Sequence, residues 1–286
     1  MALRCSEFIR PKRNYPNMRP RVTFSTLACP YWSVETIVER AQTMGYDGIE
    51  WRGGESGHVN PTWSSAQRAA LRQRMRDANL FSLAVTAYTA FVSDDANELA
   101  ANLADLKRHL DLAADLDASF VRVFLGELTT GQTRAQVYPR IIEALQTALP
   151  HAHQVNVGIA IEHHDDFVRT ADIAPILHQI TDARLGAVWD IANAYSAGEA
   201  PEQGAGNLQN RISYVQLKDG VGVHENWRLT NLGAGHVPLS RAIELLQRQE
   251  YRGAYSIEWE YAWHPELDPP DNALPRALAY ARTLLA

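Results

Sequence analysis

Four short apolar runs of this chain each end on a polar side chain. Ile159-Ala160-Ile161 leads to Glu162, His163 and His164, and Ala187-Val188-Trp189 leads to Asp190. Tyr214-Val215 leads to Gln216 and then Lys218 and Asp219, while Ser256-Ile257 leads to Glu258 and Glu260. A carboxylate at the end of such a run must be paired, hydrogen-bonded or bound to a metal, because burying it bare is costly. Three carboxylates and one amide brought to one place would form an oxygen-rich cage. Such a cage suits a hard or borderline divalent ion, Mn2+ first and Mg2+ or Co2+ after it, better than structural zinc, which prefers Cys and His. The plainer alternative is that each carboxylate pairs with a neighbouring Lys, Arg or His. For one run alone that alternative is the better reading, since ion-pair networks also occupy clefts. The choice turns on whether the fold makes the four runs converge.

Eight β-branched apolar runs alternate with segments of helical period. The strands are expected at 22–29, 48–52, 81–88, 120–126, 158–164, 185–191, 212–219 and 254–260. The helices are expected at 34–44, 65–78, 96–116, 134–154, 171–180, 239–249 and 272–285, with a short, weak segment at 201–210. Ser64 with Gln67 and Thr133 with Gln136 fit the capping box that opens a helix, and Gly45, Gly158 and Gly253 punctuate helix-to-strand turns. Eight strand–helix units in order predict an α/β protein, a single-domain (β/α)8 TIM barrel over residues 22–286. The rival is an open doubly wound sheet. Barrel enzymes place their chemistry at the strand C-termini, and there the four polar ends meet.

Side chains alternate along a strand. If Glu162 faces the barrel axis, His164 shares its face and His163 turns towards the helices. The same rule sets Lys218 beside Gln216 and Glu260 beside Glu258. Lys218 is then placed to polarise a substrate carbonyl or hydroxyl; its alternative is a salt bridge to Asp190, Glu258 or Asp219. Glu50 and Arg122 are expected to pair inside the barrel as structure. Trp32, Trp51, Tyr88, Phe91, Phe124, Trp227 and Trp263 crowd the expected rim, where ring faces suit the C–H faces of sugars. Of the rim residues, Trp32, Trp51, Phe124 and Trp227, with Asn193, are the substrate-binding candidates, and loop packing is the alternative for any one ring. His224, His236 and His264 lie in loops with no identifying spacing. Gly233-Ala234-Gly235 reads as a tight turn that needs glycine.

The composition narrows the function. With 27 Lys+Arg against 33 Asp+Glu the chain carries a formal charge of −6, which argues against a surface built to grip nucleic acid. Two cysteines, Cys5 and Cys29, point to a reduced, cytoplasmic protein. No run is long and apolar enough to span a bilayer. Residues 1–21 hold Arg4, Arg10, Lys12, Arg13, Arg19 and Arg21 without the apolar stretch of a secretory signal, and read as a basic N-terminal tail.

The pieces Met44-Gly-Tyr-Asp-Gly-Ile-Glu50, Ala160-Ile-Glu162, Trp189-Asp190-Ile-Ala-Asn193, Tyr214-Val-Gln-Leu-Lys-Asp219, Leu232-Gly-Ala-Gly235 and Ser256-Ile-Glu258 stand in a telling order. In that order the chain resembles the xylose-isomerase-like barrel superfamily of sugar isomerases and epimerases, dehydratases, C-glycoside lyases and one class of abasic-site endonuclease. The resemblance implies that Glu162, Asp190, Gln216 and Glu258 ligate one divalent metal. Most members have His where Gln216 stands, and many have His where Asn193 stands. Both departures remove nitrogen ligands and count against the endonuclease with its trinuclear zinc site.

Three functions follow. The first is a metal-dependent sugar isomerase or epimerase, in which Glu162 and Glu258 move a proton on carbon through an enediolate. The second is a lyase or dehydratase that eliminates a group next to a ketone, with His164 as acid or base. The third is a catalytically silent binding protein. The expected partner is a small sugar or keto-polyol, with no nucleic acid and no membrane, and the chain is expected to form a homo-oligomer.

Overall fold

The computed structural model describes residues 19–286. Residues 1–18, and with them most of the basic tail and Cys5, lie outside the described residues. In chain order the strands are β1 (Arg21–Ser25), β2 (Gly48–Arg52), β3 (Phe81–Thr86), β4 (Phe120–Val123), β5 (Gly158–Glu162), β6 (Leu185–Asp190), β7 (Ile212–Leu217), β8 (Asp219–Val221), β9 (Arg228–Thr230) and β10 (Ala254–Ile257). All but β8 and β9 form one closed parallel barrel in the order β1-β10-β7-β6-β5-β4-β3-β2. The helices are α1 (Val34–Met44), α2 (Ser65–Asp77), α3 (Ala96–Asp115), α4 (Arg134–Val155), α5 (Thr170–Gln179), α6 (Ile191–Ser196), α7 (Pro201–Leu208), α8 (Leu239–Arg248) and α9 (Pro270–Leu284). Parallel neighbours demand a long crossover, and a helix is the usual one. No helix among the described residues is long and apolar enough to cross a membrane.

Strand alternation divides the core in two. One face of each strand packs with the helices in a large apolar layer that includes Phe24, Ile49, Trp51, Val121, Ile161, Trp189 and Leu217. The other face fills the barrel interior with a smaller cluster of Leu83, Ala84, Phe120, Ala160, Val188, Tyr214 and Ala254. One step further towards the strand C-termini the interior turns polar, with Glu50, Arg122, Glu162, Asp190, Gln216 and Glu258 all buried. The apolar layer below closes the barrel floor and keeps water from reaching these groups from beneath.

The helix starts follow the sequence. Ser64 and Gln67 form a reciprocal capping box, and the Thr133 N–H donates to Gln136 Oε1 at 2.9 Å. Gly45 ends α1 at φ +89°, a left-handed conformation that favours glycine.

Several strands end earlier than the apolar pattern suggests, and two elements were not foreseen. The expected strand at 185–191 stops at Asp190, whose side chain accepts from the N–H groups of Ala192 and Asn193 and so opens the six-residue helix α6. The expected strand at 212–219 stops at Leu217, and Asp219 begins the β8–β9 hairpin instead. Asp219 accepts from the N–H groups of Gly220, Gly233, Gly235 and Val237, so it ties the hairpin to the 233–235 turn. Gly233 there has φ +87°, as a glycine turn requires. At the other end, Arg21 belongs to β1 rather than to a tail, and its guanidinium lies over the Phe81 ring at 5.1 Å.

Candidate metal centre

Glu162 and Asp190 close strands β5 and β6, and Glu258 directly follows β10. Each offers a carboxylate oxygen, these oxygens lie within 4.8 Å of one another, and all three residues are buried. The ladder explains the convergence: Asp190 stands opposite Gln216 on β7, and Gln216 stands opposite Ser256 on β10, two residues before Glu258.

Gln216 is fully buried, and its amide is oriented by acids. Its Nε2 donates to Glu50 Oε1 at 3.3 Å and to Glu258 Oε1 at 3.1 Å. An ionised carboxylate only accepts, so the amide nitrogen must face these acids. The amide oxygen Oε1 is left buried without a hydrogen-bond partner. A buried oxygen in that state calls for a donor or a cation. Glu50 is held from below by Tyr214 Oη at 2.6 Å and Ser256 Oγ at 2.5 Å.

Two cations already serve this cluster. Lys218 Nζ lies 2.8 Å from Asp190 Oδ2, 2.9 Å from Glu258 Oε2 and 2.6 Å from Glu260 Oε1. Burial alone would pull the ammonium pKa down, but these three carboxylates hold it well above its ordinary value. Arg122 Nε lies 3.1 Å from Glu162 Oε2. Against Lys218 and Arg122 stand five acids, Glu50, Glu162, Asp190, Glu258 and Glu260, so the cluster remains short of positive charge. Burial pushes Glu162 up to about 8, with Arg122 opposing it and Glu258 and Asp190 adding like charge. Burial, followed by the charge of Glu258, raises Glu50 as well. An all-oxygen donor set with an orphaned amide oxygen and too few cations fits a hard divalent ion.

The two histidines after Glu162 separate as strand alternation requires. His163 is fully buried and its Nδ1 bonds Val168 O at 2.7 Å. Burial lowers it to about 4, which keeps it neutral. His164 is half-exposed at the mouth, with Nδ1 2.6 Å from Asp165 Oδ1 and its ring 4.5 Å from the Phe124 ring. Burial pulls its pKa down, but the Asp165 hydrogen bond and the charge of Glu162 leave it raised. Asn193 keeps an unpartnered, buried Nδ2 beside the cage.

Other expected residues are placed elsewhere. Glu50 and Arg122 do not pair: Glu50 is taken by Tyr214, Gln216 and Ser256, and Arg122 by Glu162. Trp51 follows Glu50, so it faces the helices; it is fully buried and donates to Ser82 Oγ at 3.2 Å, away from any substrate. Phe91 is likewise in the core. Trp32 is half-buried against the core with Arg40 5.9 Å from its ring. Trp227 packs against the same layer, from the hairpin. Phe124 stays at the mouth, with the Arg122 guanidinium 4.0 Å from its ring centre. Of two further mouth residues, one was expected to pair with Glu50 and the other had no assigned role. Arg122 is the counter-ion of Glu162, and Arg52 is buried beside Tyr88 and Trp263. The signal for Arg52 was available, because it lies two residues past Glu50 on the same face.

A family model described as the xylose isomerase-like TIM barrel matches residues 38–284. No curated protein sequence matches the chain. Among solved structures, the IolI protein with a bound zinc atom has a TM-score of 0.79 at 15% identity, over 94% of this chain and 98% of that one. A D-psicose 3-epimerase in the presence of D-fructose has a TM-score of 0.76 at 18% identity, over 94% and 99%. The 3-keto-D-glucoside 4-epimerase YcjR from E. coli has a TM-score of 0.74 at 14% identity, over 93% and 100%. At these identities the likeness is one of fold.

Proposed function

The chain belongs to the xylose isomerase-like TIM barrel family, and from that premise we propose that it is a divalent-metal-dependent sugar isomerase or epimerase. The observation that carries this reading is the buried triad of Glu162, Asp190 and Glu258, with oxygens within 4.8 Å of one another, beside the unpartnered oxygen of Gln216. These four residues would hold one ion, with Mn2+ the best match to their oxygen chemistry. Bound there, the ion would act as a Lewis acid on adjacent substrate oxygens. The sugar epimerases among the fold neighbours support the substrate class.

The side chains supply the proton chemistry. Glu162 and Glu258 come from strands on different sides of the barrel, so a ketose carbon between them can lose a proton to one carboxylate and receive one from the other, through an enediolate. Arg122 holds Glu162 in place, and Lys218 holds Glu258. Lys218 also offers a positive charge to a developing oxyanion. The apolar floor of Leu83, Phe120 and Val188 excludes water from below.

A second reading, a lyase that eliminates next to a ketone, is favoured by one observation. His164 is anchored through Nδ1 to Asp165 and stacked on Phe124 at the mouth, with Nε2 free of any bond within the described residues. That is the posture of a group serving a leaving substituent.

The test of the site is elemental analysis. About one divalent ion per chain is expected in the wild-type protein, and none in the Glu162→Ala/Asp190→Ala double variant. Retention of the ion by that variant would sink the assignment.

A further inference from the structure

Strands β2 and β4 each bring an arginine to the interior face that carries the acids. Arg52 is 6% exposed and Arg122 4%. Between them stands Tyr88, its ring centre 5.9 Å from the Arg52 guanidinium and 5.2 Å from that of Arg122. Trp263 covers Arg52 from outside at 4.6 Å. The Arg52 donors are partly used, and by neutral groups: Nε on Tyr88 Oη at 3.1 Å and Nη2 on Ser56 Oγ at 3.2 Å. Among the described residues no carboxylate pairs with Arg52, and its Nη1 makes no hydrogen bond. Arg122 Nε approaches Glu162 Oε2 at 3.1 Å without a hydrogen bond, and both its Nε and its Nη1 are buried without a hydrogen-bond partner.

A guanidinium this buried without a counter-anion is costly. Tyr88, Ser56 and Trp263 hold that of Arg52 in one orientation all the same. Held this way, a guanidinium presents a planar fork that matches a carboxylate or phosphate. We propose that Arg52 and the free edge of Arg122 form an anion subsite, so that the substrate is a sugar bearing an anionic oxyacid group, a carboxylate or a phosphate ester, rather than a neutral sugar. The proposal rests on the carbohydrate reading above and names its substrate class. The anionic end of such a substrate would face Arg52 and the free edge of Arg122, and its polyol end the cage of Glu162, Asp190 and Glu258.

The test measures dissociation constants of D-fructose, D-fructuronate and D-fructose 6-phosphate by titration calorimetry on the metal-loaded full chain. At least one charged ketose is expected to bind about tenfold or more tightly than D-fructose, the scale of one good charge-assisted contact. Which one prefers the site distinguishes a carboxylate from a phosphate subsite. In Arg52→Gln the ratio of charged to neutral affinity should collapse towards one, and in Arg52→Lys, which keeps the charge, much of it should survive. Binding of D-fructose as tight as that of both charged ketoses in the wild type would overturn the subsite alone. A preference undiminished in Arg52→Gln would do the same. Binding of no ketose, charged or neutral, would overturn the carbohydrate reading and the subsite with it.

Discussion

Arg122 Nε lies 3.1 Å from Glu162 Oε2, and neither side chain is more than 5% exposed. The pair crosses from β4 to β5 at the rim of the polar layer, with Phe124 against the guanidinium. Breaking a buried pair from one side leaves a bare charge, at a cost of about 3–5 kcal/mol. Arg122→Met should therefore destabilise the metal-free protein by about 3 kcal/mol or more in urea unfolding at alkaline pH, where Glu162 is ionised, and by less at neutral pH, where the carboxyl is protonated. The Arg122→Met/Glu162→Gln double variant should recover a large part of that loss. Additive effects of the two single changes would show that the groups do not act on each other.

The burial of Glu162 in the cage gives a pH signature. The folded pKa of Glu162 is raised from the ordinary value of 4.5 to about 8, so folding favours its protonated form. Its contribution to stability is fully present below about 4.5 and is lost as the pH rises towards 8. Metal-free wild type should accordingly lose stability relative to Glu162→Gln across that window. A saturating divalent ion should remove the loss, because it favours the ionised form. Paired unfolding curves at several pH values, with and without chelator, measure this directly.

His163 behaves in the opposite sense. Burial lowers its pKa from 6.5 to about 4, so its contribution is present above 6.5 and is lost as the pH falls through that range towards 4. The acid-side loss of stability should be shallower in His163→Gln than in the wild type. Equal slopes between pH 6.5 and 4 would contradict the assignment of His163 as a buried neutral group.

Lys218 occupies the centre of the acid cluster without contributing to the oxygen cage. Replacing it by Met should lower the stability of the metal-free protein, since Asp190, Glu258 and Glu260 lose a shared partner. It should also tighten Mn2+ binding, by roughly tenfold, because one competing positive charge is gone. Weaker Mn2+ binding in Lys218→Met would mean that the lysine builds the cage rather than balancing it.

The convergence of Glu162, Asp190, Gln216 and Glu258 could be read from the chain because each ends an apolar run and a barrel brings every strand end to one mouth. The opposite directions of His163 and His164 followed from strand alternation alone. Partner choice was a different matter. Glu50 and Arg122 share the interior face, but which acid meets which arginine depends on strand stagger around the barrel, and Tyr214 and Ser256 reach Glu50 from strands far away in sequence. Trp51 was grouped with the rim for its ring, although its place next to Glu50 already turned it outwards. The β8–β9 hairpin was missed because its strands are short and its order comes from Asp219, which gathers four backbone N–H groups that no local pattern reveals.

The central claim is that Glu162 and Glu258 move a proton on the carbon of a sugar held at a metal-loaded cage. The direct measurement is incubation of the Mn2+-loaded protein with the charged and neutral ketoses in D2O, followed by mass spectrometry and NMR of the recovered sugars. Deuterium at a carbon next to the carbonyl, in recovered or isomerised sugar, is predicted for the wild type and should be abolished in Glu162→Gln and in Glu258→Gln. An unsaturated product without any isomer would place the chemistry with the lyase. Full metal occupancy with neither deuterium incorporation nor elimination would contradict the account and leave a barrel that binds without turning over.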